Sequence, residues 1–350
     1  MKNNDHIFMQ RCLELAKQGA GNTSPNPLVG SVIVYNGKII GEGYHRKCGE
    51  PHAEINAINA VKNRSLLTKS TLYVNLEPCS HYGKTPPCAE KIAQLKIPRV
   101  VVGIKDLSAK VNGKGIAILQ DAGIEVTTGI MEKESYDLNR RFFTFHQKKR
   151  PYIILKWAQT QDNFIDINRT NSNEPQINWI TNELSKSLVH KWRTEEDAIL
   201  IGFNTALKDN PQLTVREWTG KQPLRLVLDR KLLLHRNLSV FDKKHPTIIF
   251  NAEKSITQTN LSFVPLDYSR DILPQIMTVL YQKNILSVIV EGGRKTLKSF
   301  IDNNLWDEAR VFTGAIKFKN GVPAPSFPYQ PKSIDYLMDS KLAYYQNNNV

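Results

Sequence analysis

The sequence predicts an α/β protein of two domains, each with a sheet flanked by helices. Three observations support this prediction. The chain has 350 residues, which corresponds to about two domains of roughly 150 residues each. After an initial hairpin, apolar strand patterns alternate with helical patterns, as in sheets covered by helices. A basic segment followed by proline at 148–151 (KKRP) interrupts this alternation. We therefore expect domains at residues 1–148 and 149–350.

The elements of the first half follow from hydrophobic spacing and turn residues. Residues 6–18 carry apolar side chains at about 3.6-residue spacing, which predicts an amphipathic helix. Asn36-Gly37 lies between two apolar runs and is a strong hairpin signal, so strands are expected at 28–35 and 38–44. The same rules predict helices at 53–61, 89–95 and 114–122, and strands at 71–75, 99–104 and 124–128.

The second half shows the same alternation of strand and helix patterns. Apolar runs predict strands at 152–158, 198–202, 224–228, 247–250 and 287–290. Helical spacing predicts helices at 183–194, 271–282 and 295–303. The polar end of the chain, 345–350, is expected to fray.

Composition and charge limit the class of protein. Hydrophobic residues make up 41% and charged residues 23% of the chain, which excludes a disordered or collagen-like protein. No apolar run approaches the about 20 residues that cross a bilayer, and the N-terminus lacks the apolar core of a signal peptide. Four cysteines are too few for a disulfide framework in so long a chain, so a cytoplasmic protein is expected. The 47 Lys and Arg against 33 Asp and Glu give a charge of +14, which favours anionic partners without choosing among them.

One constellation in the first half has the residue types of a catalytic zinc site. His52, Cys79 and Cys88 offer one imidazole and two thiolates, and three protein ligands leave the fourth position of zinc for water. His52 and Cys88 each open a predicted helix, whose positive end favours a thiolate. Glu54 follows His52 by two residues and can face that water as a general base without binding the metal.

This pattern resembles the zinc deaminases, with one departure. Eight residues separate Cys79 from Cys88, where the common signature has two. The long spacing, together with residues 24–30 (SPNPLVG), resembles the deaminase half of the bifunctional riboflavin-biosynthesis deaminase/reductase. The resemblance implies that Asn26 and His45 bind the substrate. From the residues alone, a simple turn role for Asn26 stays open, and so does the role of His45.

The cysteines and histidines of this half also allow other interpretations. A structural zinc site would use Cys48, four residues before His52, as a fourth ligand, but such a closed site has no use for Glu54. Cys12 on the first helix is interpreted as a small core residue. His81, inside the loop between the metal cysteines, is interpreted as a substrate contact or a solvated side chain.

The second half lacks the G-x-G-x-x-G dinucleotide fingerprint but contains a glycine pair at 292–293, between a predicted strand and a predicted helix. Paired glycines there let backbone N–H groups approach a phosphate, and the helix start favours its charge. Alone this signal is weak, because such turns are usually structural. Segments 202–216 and 223–229, with Trp179 and Arg193, resemble the reductase half of the same bifunctional enzyme.

The resemblance covers about residues 6–330 and implies a fold for each half. The first would be a cytidine-deaminase-like three-layer α/β/α domain, and the second a dihydrofolate-reductase-like α/β domain. The family usually has glycine where this chain has Asn163. Asparagine tolerates the left-handed conformation that glycine would adopt there, so the turn is expected to persist.

The resemblance also implies binding residues in the second half. Those expected to bind NADPH are Ala158, Trp179, Thr205, Asp209, Gly293, Arg294, Lys295, Thr296, Leu297, Lys298 and Ser299. Those expected to bind the reductase substrate are Arg193, Leu213, Arg216 and Glu291. Without the resemblance, Trp179 would be assigned to the core and Asp209 to a turn.

The function implied is riboflavin biosynthesis with one zinc ion and NADPH as cofactors. The first half would deaminate a phosphorylated diaminopyrimidine, with Glu54 carrying the proton, and the second would reduce its ribosyl group. A homo-oligomer without nucleic-acid or membrane partners is expected. A tRNA-editing zinc deaminase would suit the positive charge, but the long cysteine loop and the second half disfavour it. A non-enzymatic zinc scaffold and the loss of activity in one half stay open.

Overall fold

The structure is a computed structural model, and it describes residues 2–80, 82, 86–108, 111–169 and 177–347. The chain forms two compact units, Met1–Lys149 and Arg150–Val350. Within the part of the chain that the structure describes, each helix is too short or too polar to cross a bilayer.

The first unit has one five-stranded sheet, in the order β2-β1-β3-β4-β5. Its strands are β1 (Gly30–Tyr35), β2 (Lys38–Tyr44), β3 (Thr71–Leu76), β4 (Arg99–Ile104) and β5 (Glu125–Thr128). Its helices are α1 (Lys2–Lys17), α2 (Ala53–Ala60), α3 (Cys88–Gln94), α4 (Lys114–Asp121) and α5 (Glu132–Lys148). The predicted hairpin is confirmed: β1 and β2 are antiparallel, and both Asn36 and Gly37 have positive φ, as a tight hairpin turn requires.

Alternation along the strands of the first unit produces two cores. Ile33 faces a cluster that contains buried residues of α2, α3 and α4. Its neighbours Val32 and Val34 face a second cluster that contains Met9 and Cys12 of α1. Helices therefore cover both faces of the sheet, and the predicted three-layer α/β/α arrangement is confirmed. The interpretation of Cys12 as a core residue is also confirmed, because its side chain is fully buried.

The second unit has a ten-stranded sheet and a separate two-stranded one, β15-β7. The ten strands follow the order β11-β12-β10-β9-β8-β13-β6-β14-β17-β16. The strands are β6 (Tyr152–Gln159), β7 (Phe164–Asp166), β8 (Ala198–Ile201), β9 (Leu224–Leu228), β10 (Thr247–Asn251), β11 (Ile256–Gln258), β12 (Leu261–Pro265), β13 (Ser287–Gly292), β14 (Glu308–Thr313), β15 (Val322–Pro323), β16 (Ser333–Leu337) and β17 (Ser340–Gln346). The helices are α6 (Glu183–Glu195), α7 (Phe203–Asp209), α8 (Ile272–Gln282) and α9 (Arg294–Asp302).

The seven strands from β12 to β14 in this order run parallel. Buried residues of α8 and α9 lie in one core cluster, and buried residues of α6 and α7 lie in clusters that contain the alternate residues of the same strands. Helices again cover both faces, as parallel sheets require. Asn163 has a φ of 65°, which is the left-handed conformation predicted for it.

The prediction that residues 345–350 fray is wrong for Tyr345 and Gln346. Both belong to β17, which pairs antiparallel with β14, so that Tyr345 lies opposite Ala309 and Gln346 opposite Glu308. Backbone hydrogen bonds to β14 order this polar end, and such bonds leave no hydrophobic pattern in the sequence from which they could be predicted. Residues 348–350 lie outside the described residues.

Candidate active sites

The three predicted zinc ligands meet at the ends of three elements of the first unit. His52 is the N-cap of α2, Cys79 follows β3, and Cys88 is the first residue of α3. The His52 Nδ1 atom lies 3.5 Å from the Cys79 Sγ and 3.5 Å from the Cys88 Sγ. A tetrahedral zinc ion with bonds of about 2.0 Å to nitrogen and 2.3 Å to sulfur separates such atoms by about 3.5 Å. The donor set therefore fits zinc.

The protonation states of the ligands also suit a metal ion. Hydrogen bonds from the Cys88 thiol and from His52 together lower the pKa of Cys79 to about 4. The hydrogen bond to Cys79 in turn raises the pKa of His52 to about 9. The Cys88 backbone N–H also donates to the Cys79 sulfur, at 3.2 Å. Cys79 is thus held as a thiolate, the form that binds metals.

Glu54 lies beside this cluster, in the first turn of α2. Glu54 is 3% exposed, and its carboxyl group interacts with the Cys88 thiol. Burial raises the pKa of Glu54. A buried carboxyl group that contacts the ligand set, with a raised pKa, has the properties of a proton carrier.

The alternative of a closed four-ligand site receives no support. Among the described residues, the metal-ligating cluster contains His52, Cys79 and Cys88, and Cys48 is exposed outside it. His81 lies outside the described residues.

The two residues expected to bind the pyrimidine lie next to each other. The Asn26 Nδ2 and the His45 Nε2 are 3.1 Å apart, and the rings of His45 and His52 lie 5.3 Å apart, edge to face. His45 is buried, and this burial lowers its pKa, so the ring is neutral at pH 7. Two neutral polar side chains therefore lie beside a metal ligand, where they can form hydrogen bonds with the polar edge of a heterocycle.

Glu77 anchors the chain beside the metal cluster, a role that sequence reasoning missed. It is 4% exposed, and its carboxylate accepts four backbone hydrogen bonds. The donors are the N–H groups of Asp106 (3.0 Å), Gly113 (2.9 Å), Gly115 (2.9 Å) and Ile116 (3.2 Å). Glu77 thereby fastens the chain just before Cys79 to the N-terminus of α4. Its place two residues before a ligand was the available signal.

In the second unit, the predicted cofactor residues Ala158, Thr205 and Gly293 lie at the carboxyl edge of the sheet. Strands β8, β13 and β6 are adjacent and parallel, so their carboxyl ends share one edge, where parallel sheets bind ligands. Gly202 caps α7, Gly293 caps α9, and the Gly202 N–H donates to the Gly292 carbonyl at 2.8 Å. A Cβ atom at Gly293 would lie 3.0 Å from the Thr205 Oγ1. The turns at 202–205 and 292–296 therefore form one surface.

The other predicted cofactor residues differ in exposure. Ala158 lies near the carboxyl end of β6. Trp179 is 56% exposed, so it is not a core residue, and the Lys186 Nζ lies 4.8 Å from its ring centre. The Asp209 carboxylate accepts a hydrogen bond from Arg169 at 2.7 Å.

Residues 294–299 form the first two turns of α9. The Leu297 side chain lies in the core, and its N–H donates to the Gly293 carbonyl at 3.0 Å. Thr296 is buried, and the Ser299 hydroxyl donates to its carbonyl at 2.7 Å. Lys298 pairs with Asp302, whereas Arg294 and Lys295 are exposed.

Two of the four predicted substrate residues of this unit, Arg193 and Glu291, pair in a largely buried charge cluster. The Arg193 Nε and Nη2 donate to the two Glu291 oxygens, at 3.2 and 2.8 Å. Burial alone would raise the pKa of Glu291, but Arg193 and Lys156 lower it to about 2. Lys156, which sequence reasoning missed, lies on β6 next to β13, and burial lowers its pKa.

Arg216 lies at the edge of the same cluster. Its backbone N–H donates to the His190 Nδ1 at 3.0 Å, and its guanidinium contacts the Thr214 hydroxyl at 3.0 Å. Burial lowers the pKa of His190 to about 4, so this ring is a neutral acceptor. Leu213 has a φ of 57°, and its side chain lies in the core.

Comparisons with known proteins match the two halves of the chain to two different families. Residues 2–104 match the family described as "Cytidine and deoxycytidylate deaminase zinc-binding region". Residues 151–318 match the family described as "RibD C-terminal domain".

Full-length relatives match most of the chain. The chain is 41% identical over 313 residues to "Riboflavin biosynthesis protein RibD" of Aquifex aeolicus (strain VF5), covering 88% of this chain and 86% of the relative. It is 33% identical over 329 residues to the protein of that name from Escherichia coli (strain K12), covering 88% and 87%. A crystal structure from Thermotoga maritima, described as a diaminohydroxyphosphoribosylaminopyrimidine deaminase/5-amino-6-(5-phosphoribosylamino)uracil reductase, matches with a TM-score of 0.88. It is 36% identical and covers 99% of each chain.

Proposed function

This chain belongs to the RibD family of riboflavin biosynthesis proteins, and we propose that its first unit carries the deaminase site and its second unit the reductase site. The protein is a bifunctional enzyme of riboflavin biosynthesis, a zinc-dependent deaminase and an NADPH-dependent reductase. The observation that carries the assignment is the cluster of His52, Cys79 and Cys88 with Glu54 buried beside it.

The deaminase substrate is 2,5-diamino-6-ribosylamino-4(3H)-pyrimidinone 5′-phosphate. Zinc, when bound by His52, Cys79 and Cys88, supplies a water activated near neutral pH. Glu54 takes one proton from the attacking water and delivers it to the ring nitrogen. It then moves the second proton, from the added hydroxyl group, to the amino group, which leaves as ammonia. Asn26 and His45 hold the heterocycle edge. The reaction replaces the 2-amino group by oxygen.

The reductase step uses the carboxyl edge of the second sheet. NADPH, when bound there, supplies a hydride to the ribose carbon, which opens the sugar to ribityl. The turns at 202–205 and 292–296 offer glycine backbone and the N-terminus of α9 to the cofactor phosphates. Arg216, at the edge of the charge cluster, binds the substrate phosphate.

Lys156 is proposed as the proton donor of the reduction. Opening the sugar leaves an oxygen that must gain a proton when the carbon gains a hydride. Lys156 lies within the cluster of Glu291 and Arg193, and its lowered pKa makes its ammonium a better acid than an exposed lysine. The negative charge of Glu291, which Arg193 binds, opposes this lowering of the Lys156 pKa and favours the ammonium form.

Three further expectations complete the proposal. A homo-oligomer is tested by light scattering coupled to gel filtration. Independence from nucleic acid is tested by the absorbance ratio of the purified protein. A cytoplasmic location suits thiolate ligands, which need a reducing compartment, and is tested by cell fractionation.

The function is tested by following ammonia release and NADPH oxidation separately with the pyrimidine phosphate. Ammonia release without NADPH, and NADPH oxidation only after deamination, are expected. Elemental analysis is expected to find one zinc per chain, lost in the Cys79→Ser, Cys88→Ser double variant. Absence of both activities in zinc-loaded protein, or zinc retained in full by that variant, would contradict the assignment.

A further inference from the structure

Two buried amides bind the backbone of Leu28, two residues after Asn26. The Asn139 Oδ1 accepts a hydrogen bond from the Leu28 N–H at 2.8 Å, and the Asn139 Nδ2 donates to the Leu28 carbonyl at 2.9 Å. The Asn75 Nδ2 donates to the same carbonyl at 3.1 Å, and its Oδ1 accepts from the Gly30 N–H at 2.8 Å. Asn139 is 2% exposed and Asn75 is fully buried. The backbone around Leu28, between Asn26 and β1, therefore forms its hydrogen bonds with side chains, whereas a β-strand forms them with the backbone of a neighbouring strand.

Asn139 departs from the helix that carries it. Within α5, its φ of −103° and ψ of 16° are not helical. Asparagine side chains compete with helical backbone for hydrogen bonds, and this one bonds to a residue 111 positions away in the sequence. Helix α5 can approach the sheet this closely because Gly103 of β4 has no side chain. A Cβ atom there would lie 2.5 Å from the Ser135 Oγ of α5 and 2.6 Å from the Asn75 carbonyl oxygen.

Contacts continue from Leu28 to the metal ligands. The next residue, Val29, accepts a backbone hydrogen bond from His45 at 2.9 Å. The His45 ring lies 3.1 Å from the Asn26 amide and 3.2 Å from the Pro51 carbonyl oxygen. Pro51 immediately precedes His52. A shift of the Leu28 backbone would therefore move Asn26 and His45 relative to the metal ligand.

We infer that Asn139 is a positioning residue of the deaminase: by holding Leu28, it keeps Asn26 and His45 in the geometry that binds the pyrimidine. This inference rests on the proposed function of the first unit. Asn139 itself contacts neither Asn26 nor His45 by hydrogen bond in the described structure, so its effect reaches the substrate through the loop. Displacing a binding group by about 1 Å can cost about 100-fold in kcat/KM. Because Asn26 and His45 bind the substrate in the ground state as well as in the transition state, this loss is expected in KM.

The test uses Asn139→Ala and Asn139→Asp in the full chain. The first removes both hydrogen bonds to Leu28. The second has the same shape and keeps an acceptor for the Leu28 N–H, but it places a carboxylate oxygen against the Leu28 carbonyl. Both variants are expected to raise the KM for the pyrimidine phosphate about 10- to 100-fold. The kcat for ammonia release is expected to change less than about threefold, because Glu54 and the zinc ligands keep their places.

Asn63→Ala is the matched control. Asn63 is also an asparagine of the first unit, and its side chain accepts hydrogen bonds from Ser65 at the start of a short 3₁₀ helix. Its removal costs stability without touching the loop, so KM is expected to stay within about twofold of the unmodified chain. Zinc content and NADPH oxidation with deaminated substrate are measured in every variant and are expected to match the unmodified chain.

Each outcome has one meaning. A raised KM in both Asn139 variants, with one zinc retained, supports the inference. An unchanged KM in zinc-loaded Asn139→Asp overturns it, even if Asn139→Ala does not fold. Equal losses of kcat and zinc, as from general destabilisation, also overturn it. A failure of the proposed function is separate, because the unmodified chain would then release no ammonia.

Discussion

Replacing Glu77 by glutamine is expected to loosen the zinc site although the side chain changes by one atom. The Glu77 Oε1 accepts the N–H groups of Gly115 and Ile116, and the Oε2 accepts those of Asp106 and Gly113. A glutamine amide has one oxygen, so it satisfies one pair of donors and points its NH₂ group at the other. Two buried N–H groups then lose their acceptor.

The magnitude follows from these contacts. Each buried donor left without a partner costs about 1–3 kcal/mol, so the total is about 2–6 kcal/mol. The bonds that remain also lose their charge-assisted strength. Native domains have a free energy of unfolding of about 5–15 kcal/mol, so this loss is a large fraction of it. For a unit of about 150 residues, it corresponds to a fall in Tm of roughly 5–20 °C.

The zinc affinity is expected to fall as well, because Glu77 fixes the chain that leads to Cys79. Loss of groups that orient metal ligands typically costs about 10–100-fold in affinity. Two assays measure this. One is competition for zinc by a chelator, and the other is hydrogen exchange of the four donor amides of Asp106, Gly113, Gly115 and Ile116, which is expected to accelerate.

Glu90→Gln provides the control. Glu90 lies on α3, two residues from Cys88, and its carboxylate accepts a hydrogen bond from the Tyr82 hydroxyl at an exposed position. The change removes the same charge near the metal, yet Tm and zinc affinity are expected to stay nearly unchanged. If Glu77→Gln unfolds within about 2 °C of the unmodified chain and holds zinc equally well, the reasoning about the four donors is refuted.

Three predictions concern the second unit. Gly293→Asp places bulk and negative charge beside Thr205, where the cofactor phosphate should approach, so NADPH oxidation is expected to stop while ammonia release continues; equal loss of both activities would count against the assignment. NADPH is expected to be preferred to NADH at least about tenfold in kcat/KM, because a 2′-phosphate can be met by basic residues near the proposed cofactor turns, namely Arg230, Lys231, Arg294, Lys295 and Lys298; comparable values would contradict this. Lys156→Met is expected to lower the kcat of reduction about 10²–10⁴-fold with NADPH binding retained, whereas an unchanged kcat would remove Lys156 from the mechanism.

Local patterns were sufficient for the five strands of the first sheet, for five of the seven parallel strands of the second (not β12 or β14), and for the metal ligands. The hairpin at 36–37 and strand β4 follow from turn residues and apolar runs, and these lie where predicted. The ligands could be predicted because the chemistry of zinc restricts both residue type and number. The position of Glu54 beside the cluster follows from its place in the first turn of the helix that His52 caps.

Other elements give no comparable signal. Helix α5 was missed because it starts after Met131, in the left-handed conformation and without a capping side chain, and because its aromatic residues are adjacent rather than spaced by turns. Strand β16 was missed because nearly all of its residues are exposed, so its stability comes from pairing with β17.

The supporting residues of the sites were missed for a different reason. Asn139 forms hydrogen bonds with Leu28, 111 residues away in the sequence. Asn75 and Glu77 bind backbone groups, which every residue has, so the residue types of their partners give no signal. Lys156 interrupts an apolar strand and becomes informative only beside Glu291. The sequence therefore indicates which side chains bind zinc or carry protons, whereas the residues that position those side chains depend on long-range packing.

The central claim, that two independent active sites share this chain, is tested most directly with Glu54→Gln. The variant keeps the shape of the side chain and the zinc ligands but removes the proton carrier, a contribution of about 10²–10⁴-fold in rate. Ammonia release and NADPH oxidation are measured on the same zinc-loaded preparation, the second with already deaminated substrate. Almost no ammonia, with NADPH oxidation at the rate of the unmodified chain, is the predicted result. Loss of both activities in folded, zinc-loaded protein would contradict the division into two sites.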